Sequence, residues 1–575
     1  MHTEYFKKLL DELNDSYDEQ MGMPATEQGA PHGYHTRLKG RVHPTLSAAH
    51  YADAVFYLKE KSLYPRAERA LRRLIELQDT RKGERTHGLW AYYAEEPLAQ
   101  MLAPDFNWAD FIGRHIAFIL KKRREEIDET LARDLSEALA RAAGCSIRRN
   151  VGADYTNIAM MSSNTIVAAA EIVGDGEMLA YGRERLRHFL SYNRYNGVFT
   201  EYNSPAYTPL ALEEITRMMM LFEDEECLAI AKELNDIGWR MLASHFTMDN
   251  GQLIPPYTRA YKELTPPSVL SLIYLGTHGK YGALRPEDAS MTRLPYHCPE
   301  EYWHFFEPLS CAREIREPYY RKNSIRRPEE DATIVRNFDS PDLFAYSYAT
   351  PAYSMGVFRA SDTWVQRRNG MVIFGDKNAP TVLRLRCLRE NAEDKAYPVY
   401  DTCMGFVTAD MREGVMLGQC SLTVDHGDFH YILDKVKDGV YTLESLAFCF
   451  CLSGNTEGVS VEKTERGWRF AKGGTTVDIA VYGARFDTKP VEAVWEEEKK
   501  MLSVPLFAGE RRKLSLSALS DTVLTFTMSV NTSCEAPVIR EENGVRRAAL
   551  GDMRVASYLR PVPYDTAVSL ATDEQ

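Results

Sequence analysis

Over roughly the first 335 residues, apolar positions recur at i, i+3, i+4 and i+7, the spacing of one face of an α-helix. The clearest segments are HYADAVFYLKEK (50–61), AERALRRLIELQ (67–78), WADFIGRHIAFILKKR (108–123) and LARDLSEALARAAGC (131–145). NIAMMSSNTIVAAAEIVGD (157–175), GEMLAYGRERLRHFLSYN (176–193), LALEEITRMMMLF (210–222) and ECLAIAKELNDIGWRMLASHF (226–246) continue the series. Gly, Pro or Asn fills most gaps, and no strand pattern interrupts. This predicts helical hairpins packed side by side, as a bundle, an α-solenoid or a closed α/α toroid.

Beyond about residue 340 the period drops towards two. SYATPAYSMGVFRA, TWVQRRNGMVIFGD, TVLRLRCLRE, GFVTADMREGVMLGQCSLTVD, FHYILDKVKDGVYTLESLAFCFCLSG and TTVDIAVYGARF are β-branched and aromatic runs, with turns such as Asp438-Gly439 and Gly454-Asn455. They predict antiparallel strands. Helices first and strands second make an α+β chain of two domains, 1–335 and 336–575, and the charged stretch Glu317–Asp339 is the natural linker.

Composition narrows the function. With 69 Lys+Arg against 82 Asp+Glu, the formal net charge is −13, which argues against a nucleic-acid partner. A basic patch inside an acidic surface is expected if the substrate is an anion. No signal peptide and no long apolar run are visible, so the expectation is a cytoplasmic protein without a membrane partner. The ten cysteines are scattered without CxxC pairs and read as reduced, packed thiols. Phosphate-loop, HExxH, GxSxG and dinucleotide signatures are absent. No cofactor or metal is expected, and side-chain acid/base chemistry is left.

Candidate chemistry gathers in Ser191–Leu212, SYNRYNGVFTEYNSPAYTPLAL, between two helices. Four Tyr, three Asn and Glu201 exceed what a turn needs, and rings with amides suit sugars. Asn196-Gly197-x-Phe199-x-Glu201-x-x-Ser204-Pro205-x-Tyr207 resembles the DGxFxExSPxY segment of polysaccharide lyases of the heparinase and oligoalginate-lyase type. The resemblance implies an incomplete (α/α) toroid followed by an antiparallel β-sandwich. It makes Tyr207 catalytic and places Asn157, in Thr156-Asn157-Ile158, at the family's Asn position. Ile158 and Thr208 stand where that family often has His, which leaves the general base open.

The chemistry implied is β-elimination from a uronate-containing oligosaccharide or polysaccharide. The C5 proton is removable only once the carboxylate is neutralised, here by Asn157 with Arg148 or Arg149 nearby. Tyr207 is the acid, and in some arrangements also the base once a cation lowers its pKa.

 Among the histidines, His87 is the candidate for that base, and Trp90 is a candidate sugar platform in the same inter-helix gap. Asn107 and Asp110 at the start of the next helix, Arg149, Tyr202, Asn203, and Tyr257 and Arg259 of PPYTRAY complete the predicted substrate contacts. An inverting glycoside hydrolase with Glu201 as acid and Asp110 as base is the alternative. A non-catalytic glycan-binding scaffold is a third reading, and a homo-oligomer is compatible with all three. In the β half, His426 and His430 are four apart. On a strand they would lie about 13 Å from one another, too far for one metal. Arg384 and Arg386 share a strand face, pointed either at an acidic substrate or at solvent.

Overall fold

The computed structural model describes residues 2–29, 35–320, 343–395, 397–430, 433–434 and 436–573. After α1 (His2–Asp15), eight helices form four hairpins. They are α2 (Thr45–Leu58), α3 (Tyr64–Glu76), α4 (Trp108–Lys122), α5 (Glu129–Arg149), α6 (Thr156–Val173), α7 (Gly176–Asn196), α8 (Tyr207–Leu221) and α9 (Glu225–His245). α2, α4, α6 and α8 pack in succession as an inner row, while α3 packs on α5 and α7 on α9 as an outer row. This is the arrangement of an incomplete (α/α) toroid.

Sequence explains the two rows. α3 buries Ala67, Ala70, Leu71 and Leu74, one stripe at helical spacing, and turns its charges outwards. α6 buries Thr156 through Ala170 without a break, as a helix covered on every side must. The outer helices α5, α7 and α9 are capped by Asp128, Asp175 and Asp224, each accepting from a backbone N–H three residues on. The inner helices α4, α6 and α8 begin without a side-chain bond from their own capping residue. Their N-terminal N–H groups are left for other partners.

The β half is antiparallel. One sheet runs, edge to edge, Val494–Glu496, Met501–Ser515, Val440–Gly454, Ala379–Glu390, Asn369–Asp376, Tyr353–Phe358, Leu343–Ala349 and Arg313–Tyr320. A second sheet centres on Gly405–Arg412, Val415–Leu422, Thr522–Val530 and Thr475–Phe486. A core that includes Val372, Leu383, Phe448, Phe450, Phe526 and Met528 fills the space between them, so the two make a sandwich. Another apolar cluster crosses from Phe199, Tyr202 and Tyr257 to Phe358, Met371 and Ile373, and joins the halves.

Two expectations need amending. Glu317–Tyr320 is not linker but the end of the strand Arg313–Tyr320, which pairs with Leu343–Ala349. Its exposed charges alternate with less exposed positions, as an edge strand allows, and so read as aperiodic. The rest of that stretch, and the boundary at 335, lie outside the described residues. Asp425–His430 is irregular chain rather than strand. His426 stacks on Phe429 at 3.7 Å, and among the described residues no cluster of His, Cys, Asp or Glu suits a metal. The ten cysteines are free. No helix among the described residues is long and apolar enough to cross a membrane.

Candidate active site

The N-termini of α4, α6 and α8 open onto one cleft of about 1230 Å³ between the helical half and the sandwich. Their aligned dipoles bring partial positive charge to it. Asn107, Arg149, Asn157, Glu201, Tyr207 and Arg259 of the predicted set all line it.

Glu201 is the hub, only 3% exposed. Its Oε2 accepts the Asn157 backbone N–H at 2.8 Å, so its carboxylate supplies the missing cap of α6. The Asn157 amide nitrogen donates to Oε1 at 2.7 Å and Oε2 at 2.9 Å. The Arg259 guanidinium closes the ion pair at 2.5 Å. Asn157 is therefore spent on Glu201, and its amide nitrogen is not offered to a substrate carboxylate. Arg259 also lies 4.6 Å over the Tyr207 ring, with Nη2 3.5 Å from the phenol oxygen, and its Nε donates to Gln366 at 3.0 Å.

Tyr207 begins α8, where its N–H donates to Ser204 Oγ at 2.9 Å, and its phenol touches that of Tyr261. Burial pushes the phenol up from its ordinary range, against the pull of Arg259, so it rests protonated. Tyr261 is 63% exposed at the cleft mouth. Arg149 differs from Arg259. It donates to the Asn107 amide oxygen and forms no ion pair among the described residues.

The loop carrying Arg259 is fixed from both sides. Asn203 donates to the carbonyls of Ile254 and Pro256 at 2.6 and 3.2 Å, and Ser204 donates to that of Arg259 at 2.5 Å. From the sandwich, Tyr257 and Arg368 exchange backbone bonds of 3.1 and 2.9 Å, and the Ala260 N–H donates to Gln366 at 2.8 Å. Asn203 and Tyr257 thus build the site without facing it.

The remaining predicted residues lie off the cleft lining. Trp90 is fully buried and donates to the Leu74 carbonyl at 2.8 Å, so it is a core residue and no sugar platform. The His87 backbone carbonyl accepts from Arg148, and burial draws the imidazole's pKa down. Asp110, 1% exposed, accepts from Ser146 at 2.5 Å, and burial raises it to about 7. With Asp110 behind the wall, Glu201 and Asp110 do not flank a shared bond in the cleft. The Tyr202 hydroxyl is 2.7 Å from His245 Nε2 inside the core.

Sequence reasoning missed His35, Tyr155, Tyr261, Trp364, Arg367 and Arg368, which line the cleft, and weighed His430, also in the lining, as a metal ligand. His35 Nδ1 lies 2.6 Å from the Ala103 carbonyl, so Nδ1 carries the proton and Nε2 is the basic nitrogen. His430 has the opposite arrangement, with Nδ1 accepting the Leu433 N–H at 3.2 Å. Six arginines and seven carboxylates line the cleft, so the expected basic patch is local and not a property of the whole wall.

Residues 4–294 match the family model described as Domain of unknown function (DUF8769), and the chain belongs to that family. No curated protein matches it. Among solved structures it is similar to heparinase III, at 10% identity over 89% of this chain and 84% of that one, with a TM-score of 0.38. It is similar to the chondroitin AC lyase of Streptomyces coelicolor A3 in complex with chondroitin sulphate, at 7% identity, 97% and 84% coverage and a TM-score of 0.45. A heparan sulfate lyase mutant from Pedobacter heparinus aligns at 10% identity, 89% and 82% coverage and a TM-score of 0.34.

Proposed function

We propose that this cleft cleaves an acidic oligosaccharide by β-elimination at a uronate. The observation that carries the reading is the pairing, in one cleft, of a protonated Tyr207 phenol with Arg149, a guanidinium that has no ion-pair partner among the described residues. Arg149 takes the uronate carboxylate in a bidentate contact and stabilises the enolate as it forms. The positive ends of α4, α6 and α8 add to the same field.

His35 Nε2 removes the C5 proton. The C4–O bond then breaks, and the Tyr207 phenol delivers a proton to the leaving oxygen. The product carries a C4–C5 double bond conjugated with its carboxylate. Arg259 holds the Tyr207 ring in place, while Glu201 and Asn157 hold Arg259. These last two are positioning residues, acting through the guanidinium.

The test is a spectrophotometric assay with short uronate oligosaccharides, following the ultraviolet absorbance of the unsaturated uronyl product. Wild-type protein should generate that absorbance. Tyr207→Phe should lower kcat by about 10²–10⁴-fold, the usual worth of a positioned acid. Reducing ends released without the absorbance would mean hydrolysis and would refute the proposal.

A further inference from the structure

The strand Ala379–Glu390 places Arg384 and Arg386 on one face, and Arg368 lies beside them just ahead of the strand Asn369–Asp376. These three guanidiniums share two carboxylates. Glu263 is 2.9 Å from Arg368 and 3.4 Å from Arg384, while Asp401 is 3.6 Å from Arg384 and 2.6 Å from Arg386. The neighbouring Arg367 is answered separately by two carboxylates of its own, Asp362 and Asp428, so the wall as a whole is balanced. Within the trio of Arg368, Arg384 and Arg386, three guanidiniums face two carboxylates, a local excess of one positive charge.

The excess is set in a buried wall, where an unanswered charge is costly. Arg384 is 3% exposed, yet its Nε has no hydrogen-bond partner among the described residues. Burial, reinforced by the Arg384 charge, draws Arg368 down to about 10. Burial pushes the Asp401 carboxyl up, but Arg384 and Arg386 outweigh it and hold it below its ordinary value. The cluster has room for one more anion.

Position says which anion. Arg384, Arg386 and Glu263 line the main cleft and also an adjoining recess of about 350 Å³ that continues to Leu388, Met501 and Lys499. Glu263 is four residues beyond Arg259 on one loop, so the Cα atoms of the two are at most about 14 Å apart. A ligand held at Tyr207 can reach the cluster only through an adjoining part of the same molecule.

We infer that Arg368, Arg384 and Arg386 form a second anion subsite, taking a carboxylate or sulfate on the sugar next to the one held at Arg149 and Tyr207. The inference rests on the proposed elimination site for the position of the first sugar, and it makes the preferred ligand acidic on consecutive sugars.

The experiment is calorimetric binding to Tyr207→Phe protein, so that no turnover intervenes. Three disaccharides are compared: two linked hexuronic acids, a hexuronic acid linked to a sulfated hexosamine, and a hexuronic acid linked to a neutral hexose. One acidic probe or both should bind about tenfold or more tightly than the mono-acid, the worth of one charge-assisted hydrogen-bonded pair. Which of them does so identifies carboxylate or sulfate. Arg384→Gln should remove the preference, bringing the acidic probes to the affinity of the mono-acid. Equal binding of all three probes by the parent protein overturns the inference, whatever the fate of the variant. A preference that survives in folded Arg384→Gln protein overturns it as well. Absence of any unsaturated product from the wild type, with the preference intact, would sink the elimination reading and leave the subsite standing.

Discussion

Replacing Arg259 by Gln tests the hub of the site. The change removes the ion-pair partner of Glu201, a carboxylate 3% exposed, and the cation 4.6 Å over Tyr207 and 5.0 Å over Tyr155. Breaking a buried pair by removing one partner costs about 3–5 kcal/mol, because the other charge is left unanswered. Asn157 still donates to Glu201, so the lower figure, about 3 kcal/mol, is expected. At about 2 °C per kcal/mol the melting temperature should fall on the order of 6 °C. Glu201→Gln together with Arg259→Gln removes both charges and loses the cation–π contacts, worth about 1–2 kcal/mol. The double variant should therefore be more stable than Arg259→Gln alone, with a coupling of at least about 1 kcal/mol by denaturant unfolding monitored by circular dichroism. Losses that add within about 0.5 kcal/mol would refute the hub, since independent sites behave that way. Neither variant should regain activity, because Tyr207 has lost the group that orients it.

Three other outcomes follow from the geometry. His50 Nε2 lies 3.0 Å from His115 Nε2 inside the toroid, facing Arg114, Arg217 and Arg293 as well as Glu213, and burial lowers His50 to about 3. The unfolded chain binds this proton near pH 6.5, so the stabilisation is complete above that pH and is lost as pH falls towards 3. By pH 5 about 2 kcal/mol should be gone, and His50→Gln should flatten the melting profile between pH 7 and 5; parallel profiles would contradict it. Gly356→Ala would put a Cβ 1.9 Å from the Pro255 carbonyl oxygen, so it should displace the 254–260 loop and raise KM even where the fold survives, as substrate titrations would reveal. His35→Asn should lower kcat about 10²–10⁴-fold, whereas an unchanged kcat in folded protein would assign the base elsewhere.

The helical half was legible because its apolar stripes repeat over many turns; each predicted segment overlaps an observed helix. The sandwich was legible from alternation. The site was legible in part, and the reason is specific. Tyr and Asn in Ser191–Leu212 suggested a binding loop, yet Asn193 and Asn196 bond back to carbonyls four residues earlier, and Tyr202 is core. Composition cannot separate a ring that faces a ligand from one that props the loop. Arg367 and Arg368 went unread because they precede a strand and become site residues only through backbone pairing with a loop more than a hundred residues earlier. Trp90 misled for the opposite reason. Its neighbours are polar, but the indole turns inwards to the α3 backbone.

The exchange of backbone bonds between Tyr257 and Arg368 splits recognition along the domain seam. Proton transfer is assigned to groups on the helical side, and selectivity for the adjoining sugar to the sandwich. A chimera that keeps residues up to the first sheet strand and borrows its sandwich from a relative would inherit the donor's appetite for substrate with the host's chemistry. Such a chain can change diet by swapping one wall.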